Sequence, residues 1–308
     1  MCGPHGFFGV DIHPTVASLR MEDIRVGVDL GGTKTEAVLL RVGGEVPEVL
    51  ERERIATERD GGYDHVLSRV AALIARFSTR APAASIGVGM PGGLTRAGLV
   101  KNSNTTCLNG RAFHADLRRA VGRPIAFDND ANCFALAELA FGAARGAGLA
   151  FGVILGTGVG GGVVLGGPPR VHRGPHGIAG EWGHVVIDPS GPACYCGRRG
   201  CVETFLCGPA IERRHAARTG QRQALAEIDD PVTLAEVAEI FGRSLAIVVN
   251  VLDPDVLVLG GGVSNLSILY DEGLRALARH VFDDEPRVCV VKNELGDSAG
   301  VFGAAMLR

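Results

Sequence analysis

Four residues that favour soft metal ions fall close together in this chain: His184, Cys194, Cys196 and Cys201. One imidazole and three thiolates match the tetrahedral preference of zinc, and a set with no evident open position makes the ion structural rather than catalytic. The stretch Gly191 to Gly200 is rich in glycine, proline and arginine. Such a loop has little of its own to hold its shape, and a metal staple suits it. The C-x-C-x4-C spacing differs from the C-x2-C of zinc fingers. Two carboxylates flank the cluster, Glu181 before His184 and Glu203 after Cys201. A stapled loop would hold both where several hydroxyls of one small molecule can donate to them.

A second chemical signal is glycine, with 45 residues gathered at Gly31-Gly32, Gly92-Gly93, Gly156 to Gly162 and Gly260 to Gly262. Glycine permits positive φ and lets backbone approach a ligand. In Asp29-Leu30-Gly31-Gly32-Thr33-Lys34, backbone N–H groups, the Thr33 hydroxyl and the Lys34 ammonium can meet phosphate oxygens. Asp29 can hold magnesium through water. The plainer reading is an ordinary glycine hairpin. Gly156-Thr157-Gly158-Val159-Gly160-Gly161 matches G-x-G-x-x-G, a dinucleotide signature only if a helix follows. Here Gly162-Val163-Val164-Leu165 follows, so a second phosphate-binding hairpin is expected instead. No glycine loop ends as a Walker A motif does.

Asp128-Asn129-Asp130-Ala131-Asn132 precedes the helix-forming run Cys133 to Leu139. Asp and Asn commonly cap helix starts, but three polar acceptors in succession exceed what one cap needs. A carboxylate there is kept ionised by the helix dipole and can accept a hydroxyl proton during phosphoryl transfer.

These groups need elements to position them. The 308 residues, 46% apolar and 21% charged, suffice for two domains with sizeable cores. Net charge is -3 and aromatics are 5%, which argues against nucleic-acid and anionic-membrane partners. The most apolar run, Leu245 to Leu259, is broken by Asn250 and Asp253-Pro254-Asp255 and cannot span a bilayer. No secretory leader is recognisable, so a reducing, cytoplasmic location is expected. Residues 1–22 lack any helical or strand period; they are expected to be a disordered extension, with Met21 as the true start.

The pattern is α/β. Strands are expected at 24–30, 35–42, 49–56 and 85–88, with an amphipathic helix over 63–77. A second unit repeats the logic: strands at 149–155 and 161–165, a long helix over 233–251, a strand at 256–259 and a terminal helix over 298–307. Two strand–glycine-loop–strand units suggest a duplicated fold with the ligand between halves. The expected domains are 23–126 plus 294–308, and 127–293 with the zinc loop.

With these residues in place, the chain resembles the ROK family of bacterial sugar kinases and repressors, from Ile24 to Leu307. The resemblance rests on Asp29 to Lys34, Met90-Pro91-Gly92, Asn129 to Asn132, Leu155 to Gly158, Gly180 to His184 and Cys194 to Glu203. Lys101 to Thr106, Leu108-Asn109-Gly110 and Glu203-Thr204-Phe205 resemble most closely the manno(fructo)kinase, or fructokinase, branch. It implies an actin/hexokinase-like (ribonuclease H-like) two-domain fold with ATP and sugar in a central cleft, and Asp130 as general base. It implies sugar contacts from Gly92, Asn104, Asn129, Glu181, His184 and Glu203. ATP phosphates would meet Gly31, Gly32, Thr33 and Lys34 and also Gly156, Thr157 and Gly158, with Gly260, Gly261 and Gly262 beside the adenosine. The cofactors implied are ATP, Mg2+ and a structural Zn2+; a homodimer is also implied. The expected reaction is fructose to fructose 6-phosphate, with N-acetylglucosamine, glucose or mannose as alternatives. Gly93-Leu94 after the Met-Pro-Gly motif departs from the family pattern and bears on which hexose is preferred. A repressor of this family carries an N-terminal helix-turn-helix, and residues 1–22 are too short for one.

Overall fold

The computed structural model describes residues 23–44 and 46–308; the expectations for residues 1–22 lie outside the described residues. The first half runs β1 (Asp23–Leu30), β2 (Lys34–Val42), β3 (Glu48–Ala56), α1 (Tyr63–Arg80), β4 (Ser85–Met90) and the short hairpin β5 (Gly93–Leu94) and β6 (Val100–Lys101). It continues with α2 (Phe113–Val121), β7 (Ala126–Asn129) and α3 (Asp130–Phe141). The second half runs β8 (Leu149–Leu155), β9 (Val159–Leu165), β10 (Arg170–Val171), α4 (Glu203–Leu206), α5 (Gly208–Thr219) and α6 (Pro231–Leu252). Then come β11 (Val256–Gly260), α7 (Glu272–His280), β12 (Val290–Lys292) and α8 (Ala299–Met306). None of these helices is long and apolar enough to cross a membrane.

The two halves share one topology. One sheet has the order β3-β2-β1-β4-β7 and the other β10-β9-β8-β11-β12. Each is an antiparallel meander followed by two parallel strands. This is the duplication the glycine loops suggested. Register sets the site: Asp29 pairs with Gly89, and Gly89 with Asp128. All three stand at the carboxyl ends of parallel strands, where α/β sheets hold ligands. β7 pairs within the first sheet, so we place the domain division after Asn129 rather than at 126/127.

α1 forms where expected, with Val66, Val70, Leu73, Ile74 and Phe77 on its buried face. The sequence reading missed α2, α5 and α7. None has more than four buried residues, too little for a visible period. One hydrophobic cluster fills each half, and a third, built on α3 and α8, touches strands of both sheets.

That third cluster depends on absent side chains. A Cβ on Gly303 of α8 would lie 1.7 Å from the Cys133 carbonyl of α3, and one on Gly87 of β4 would lie 1.8 Å from the Ala304 carbonyl. Helix α8 therefore approaches both neighbours to backbone contact. Gly303→Ala is expected to cost about 1–3 kcal/mol or more through overpacking. Chemical denaturation checks this, and an unchanged midpoint would contradict it.

Candidate active site

The turn from β7 into α3 divides its polar residues by task. Asn129 is the cap: its Oδ1 accepts from the Asn132 N–H at 2.7 Å. Asp128 Oδ1 accepts from the Asn129 N–H at 2.8 Å and from Asn132 Nδ2 at 2.7 Å. Asp130 makes only a local bond, from the Ala131 N–H at 2.9 Å. It remains accessible from the cleft. The protein crowding it displaces bulk water and pushes its carboxyl above the ordinary value, and the Glu181 charge adds to this. One carboxylate is thus left over at a helix start, open to a ligand.

Beside it lies Asp29, at the end of β1. Burial pushes its carboxyl up to about 7, with the charges of Asp130 and then Glu36 adding. At neutral pH Asp29 exchanges its proton readily, and an approaching cation favours the ionised form. The Gly31–Lys34 turn is closed by the Gly31 N–H on the Lys34 carbonyl at 3.0 Å. Thr57 ties it from below. Its hydroxyl donates to the Gly31 carbonyl at 2.7 Å, and its N–H donates to the Thr33 carbonyl at 2.9 Å. Sequence reasoning missed Thr57, which lies on the other side of β2 and β3. Gly32, Thr33 and Lys34 are left facing outward or partly so.

A cavity of about 610 Å³ opens at the carboxyl ends of β4 and β7. Gly92, Asn129 and Glu181 line it, as expected of sugar contacts. Apolar side chains of Met90, Leu94, Phe127 and Ile178 line it too. His114 stacks on Phe127 with ring centroids 3.9 Å apart, and burial pushes its imidazole down to about 4. It is neutral at pH 7. Asn104 is not brought to this lining. It sits against Gly32, its Oδ1 3.2 Å from where a Gly32 Cβ would be, because the segment after β6 folds back over the phosphate-type turn.

The four metal-type residues converge. Their ligand atoms all lie within 4.8 Å of one another. Cys194 Sγ is 3.6 Å from His184 Nδ1, and Cys196 Sγ is 3.6 Å from Cys201 Sγ. Those separations suit four donors around one ion with Zn–S bonds of about 2.3 Å. Burial pushes the Cys201 thiol up to about 12 and raises Cys194, whereas hydrogen bonding to Arg198 draws Cys196 down to about 6. Three thiolates together call for a cation, so the donor set fits zinc. His184 Nε2 lies 2.9 Å from the Tyr195 hydroxyl. Its second nitrogen thus has a partner already, and His184 does not line the cavity.

The cluster's loop is pinned to β9. Trp182 Nε1 donates to the Gly160 carbonyl at 3.1 Å, and a Cβ on Gly183 would lie 2.2 Å from the Val159 carbonyl. Glu203 Oε2 accepts from the Val159 N–H at 2.9 Å. Glu203 therefore braces the Gly156–Gly158 turn and is not among the cavity residues. Two glycine clusters divide on inspection. Gly156 to Gly158 form a turn, but β9 begins at Val159, and Gly161 and Gly162 serve packing: Cβ atoms there would strike Trp182 and the Ala131 carbonyl. Gly260 likewise packs on the Phe134 ring, whereas Gly262 faces open space. Gly261, at φ +84°, abuts Leu155, which brings the loop after β11 beside the Gly156 turn. Close packing, not ligand approach, explains the inner glycines.

The ROK family model matches residues 25–308. An N-acetyl-D-glucosamine kinase from Photobacterium profundum is 35% identical, with 92% of this chain and 98% of the relative covered. A ROK hexokinase structure from Thermus thermophilus superposes with a TM-score of 0.80 at 34% identity, covering 92% of this chain and 97% of that one. A ROK family glucokinase from Streptomyces griseus, in complex with glucose and AMPPNP, gives 0.72 at 28%, with 92% and 98% covered.

Proposed function

We propose, from the premise that this chain belongs to the ROK family, that it is an ATP-dependent sugar kinase acting on the primary 6-hydroxyl of a hexose, with N-acetyl-D-glucosamine its preferred substrate. The observation that carries this is Asp130, freed from capping, exposed, and near enough to Asp29 and to the cavity residue Glu181 to interact with both charges, although it is not itself among the cavity residues. In this reading an Asp130 oxygen takes the 6-hydroxyl proton. The sugar oxygen bonds to the γ-phosphorus as the bond to the β–γ bridging oxygen breaks, and ADP leaves. Asn129 and Glu181 orient the sugar hydroxyls. Gly31, Gly32, Thr33, Lys34 and the Gly156–Gly158 turn face the phosphates, with Gly261 and Gly262 on the adenosine side. Magnesium, when bound with ATP, would offset phosphate charge, and Asp29 would hold it through water. His184, Cys194, Cys196 and Cys201 hold a structural zinc that fixes the Glu181 loop. The homodimer implied by the resemblance belongs to the same proposal, and light scattering checks it.

Fructose, expected from the segments around 101–110 and 203–205, gives way here to N-acetylglucosamine. The Photobacterium relative is named for that sugar, and the cavity offers Leu94 and Ile178, exposed apolar side chains, to an acetyl methyl. A panel of N-acetylglucosamine, glucose, mannose and fructose with coupled ADP detection tests it. N-acetylglucosamine is expected to exceed glucose in kcat/KM by about tenfold or more, the scale of one buried methyl group. Turnover of glucose, mannose or fructose above that of N-acetylglucosamine would reverse the substrate assignment.

A further inference from the structure

We propose that Arg173 and Asp128 form a clamp between the two halves, and that Arg173 is a positioning residue for phosphoryl transfer. This deepens the kinase reading and rests on it. Arg173 opens the loop that leaves β10 of the second sheet and ends at Glu181. Asp128 is the penultimate residue of β7 in the first sheet, two residues before Asp130. Arg173 Nη2 lies 2.6 Å from Asp128 Oδ2, a close charge contact that is not aligned as a hydrogen bond. It is the one ion-pair partner of Asp128 among the described residues.

An ion pair at a surface contributes little. This one differs because its acid is buried: the Asp128 side chain is 6% exposed, the Arg173 side chain 43%. The other oxygen of Asp128 is committed to the Asn129 N–H and to Asn132 Nδ2. Asn132 in turn donates its N–H to Asn129. Asn132 Oδ1 is left buried without a partner, so its orientation is dictated by Asp128 and not by its own acceptor. One network thus links the Arg173 guanidinium to the residues on both sides of Asp130. At the other end, the Ala179 N–H donates to the Arg173 carbonyl at 3.2 Å, and the Glu181 N–H to the Ile178 carbonyl at 3.2 Å. The loop that carries Glu181 is therefore anchored at the residue that grips Asp128. Both ends of the pair line the sugar cavity. Removing Arg173 leaves a buried carboxylate without its cation, and the turn that sets Asn129 and Asp130 must rearrange.

The test uses the full chain, with Arg173→Ala, Arg173→Lys and Asp128→Asn. Trp182 is the only tryptophan and adjoins Glu181, so its fluorescence reports sugar binding. In Arg173→Ala, sugar kcat/KM is expected to fall about 10–100-fold, with weaker sugar binding by fluorescence, while KM for ATP stays within about twofold. Arg173→Lys, which keeps the charge, is expected to recover most of the loss. Hydrogen exchange of the peptide spanning Asn129 to Asn132 should quicken about tenfold in Arg173→Ala and Asp128→Asn without any substrate. Unchanged sugar kinetics and exchange in Arg173→Ala would overturn the clamp. So would equal weakening of ATP and sugar in both Arg173 variants, which marks general damage. A wild-type chain that phosphorylates no hexose defeats the kinase reading instead, and the exchange comparison still decides the clamp.

Discussion

Asp130→Asn is expected to lower kcat by about 100- to 10,000-fold, the usual share of a general base, with a smaller change in KM for the sugar. The substitution is clean for a structural reason. Asn129 is the cap of α3, so the helix start does not depend on Asp130. The remaining bond, from the Ala131 N–H to Oδ1, is one an amide oxygen also accepts. Thermal stability should therefore change little while turnover collapses. The wild-type pH profile carries the same assignment. A base acts only when ionised, and crowding together with Glu181 raises the Asp130 carboxyl. The rate must then fall on the acid side, starting at a higher pH than an ordinary aspartate would give. Retention of full kcat in Asp130→Asn would remove this residue from the chemistry.

The second large effect concerns the metal cluster. Purified protein is expected to hold about one zinc per chain, and Cys201→Ser to hold almost none, because a tetrahedral site seldom survives with three ligands. Cys201 is fully buried and its backbone pairs with Val186; Cys201→Ser keeps that pairing, so the loop from 186 to 201 loosens through loss of the ion. The Ile187 N–H bonds to the Gly200 carbonyl and the Gly200 N–H to the Pro192 carbonyl. Both belong to that loop. Trp182 and Glu181 lie at its edge, so KM for the sugar should rise about tenfold or more, by analogy with lost metal-supporting contacts. KM for ATP should rise less than that for the sugar, because the Gly31–Lys34 turn lies in the other half and only the Gly156–Gly158 turn, braced through Glu203, adjoins this loop. Metal analysis by mass spectrometry and initial rates measure both. Wild-type protein prepared without chelator and still free of zinc would dismiss the ion.

Much of the fold was legible because it is local. Apolar runs ending in glycine marked β1, β4, β8 and β11, and the buried stripe of α1 marked that helix. Short α2 and α7 left no such trace. The site divides the same way. The zinc-type set was visible in residue types alone, and its four residues do converge. Glu203 was visible as a carboxylate, but not that it would brace the Val159 N–H. Nothing near Thr57 announces that its hydroxyl would hold the Gly31 turn.

Sequence by itself determined the inventory: a two-part α/β chain, a cysteine–histidine cluster, a glycine turn after Asp29, and acids at the start of α3. Those follow from neighbours within a few residues, where turn geometry, capping and ligand spacing act. Tertiary structure decided the roles. It separated capping Asn129 from free Asp130, turned Gly260 from a ligand contact into a packing site, and joined Arg173 to Asp128 across two sheets. The physical reason is burial. Which donors meet which acceptors across a long stretch of chain depends on how α3 and α8 pack between the sheets, and spacing along the chain does not encode that.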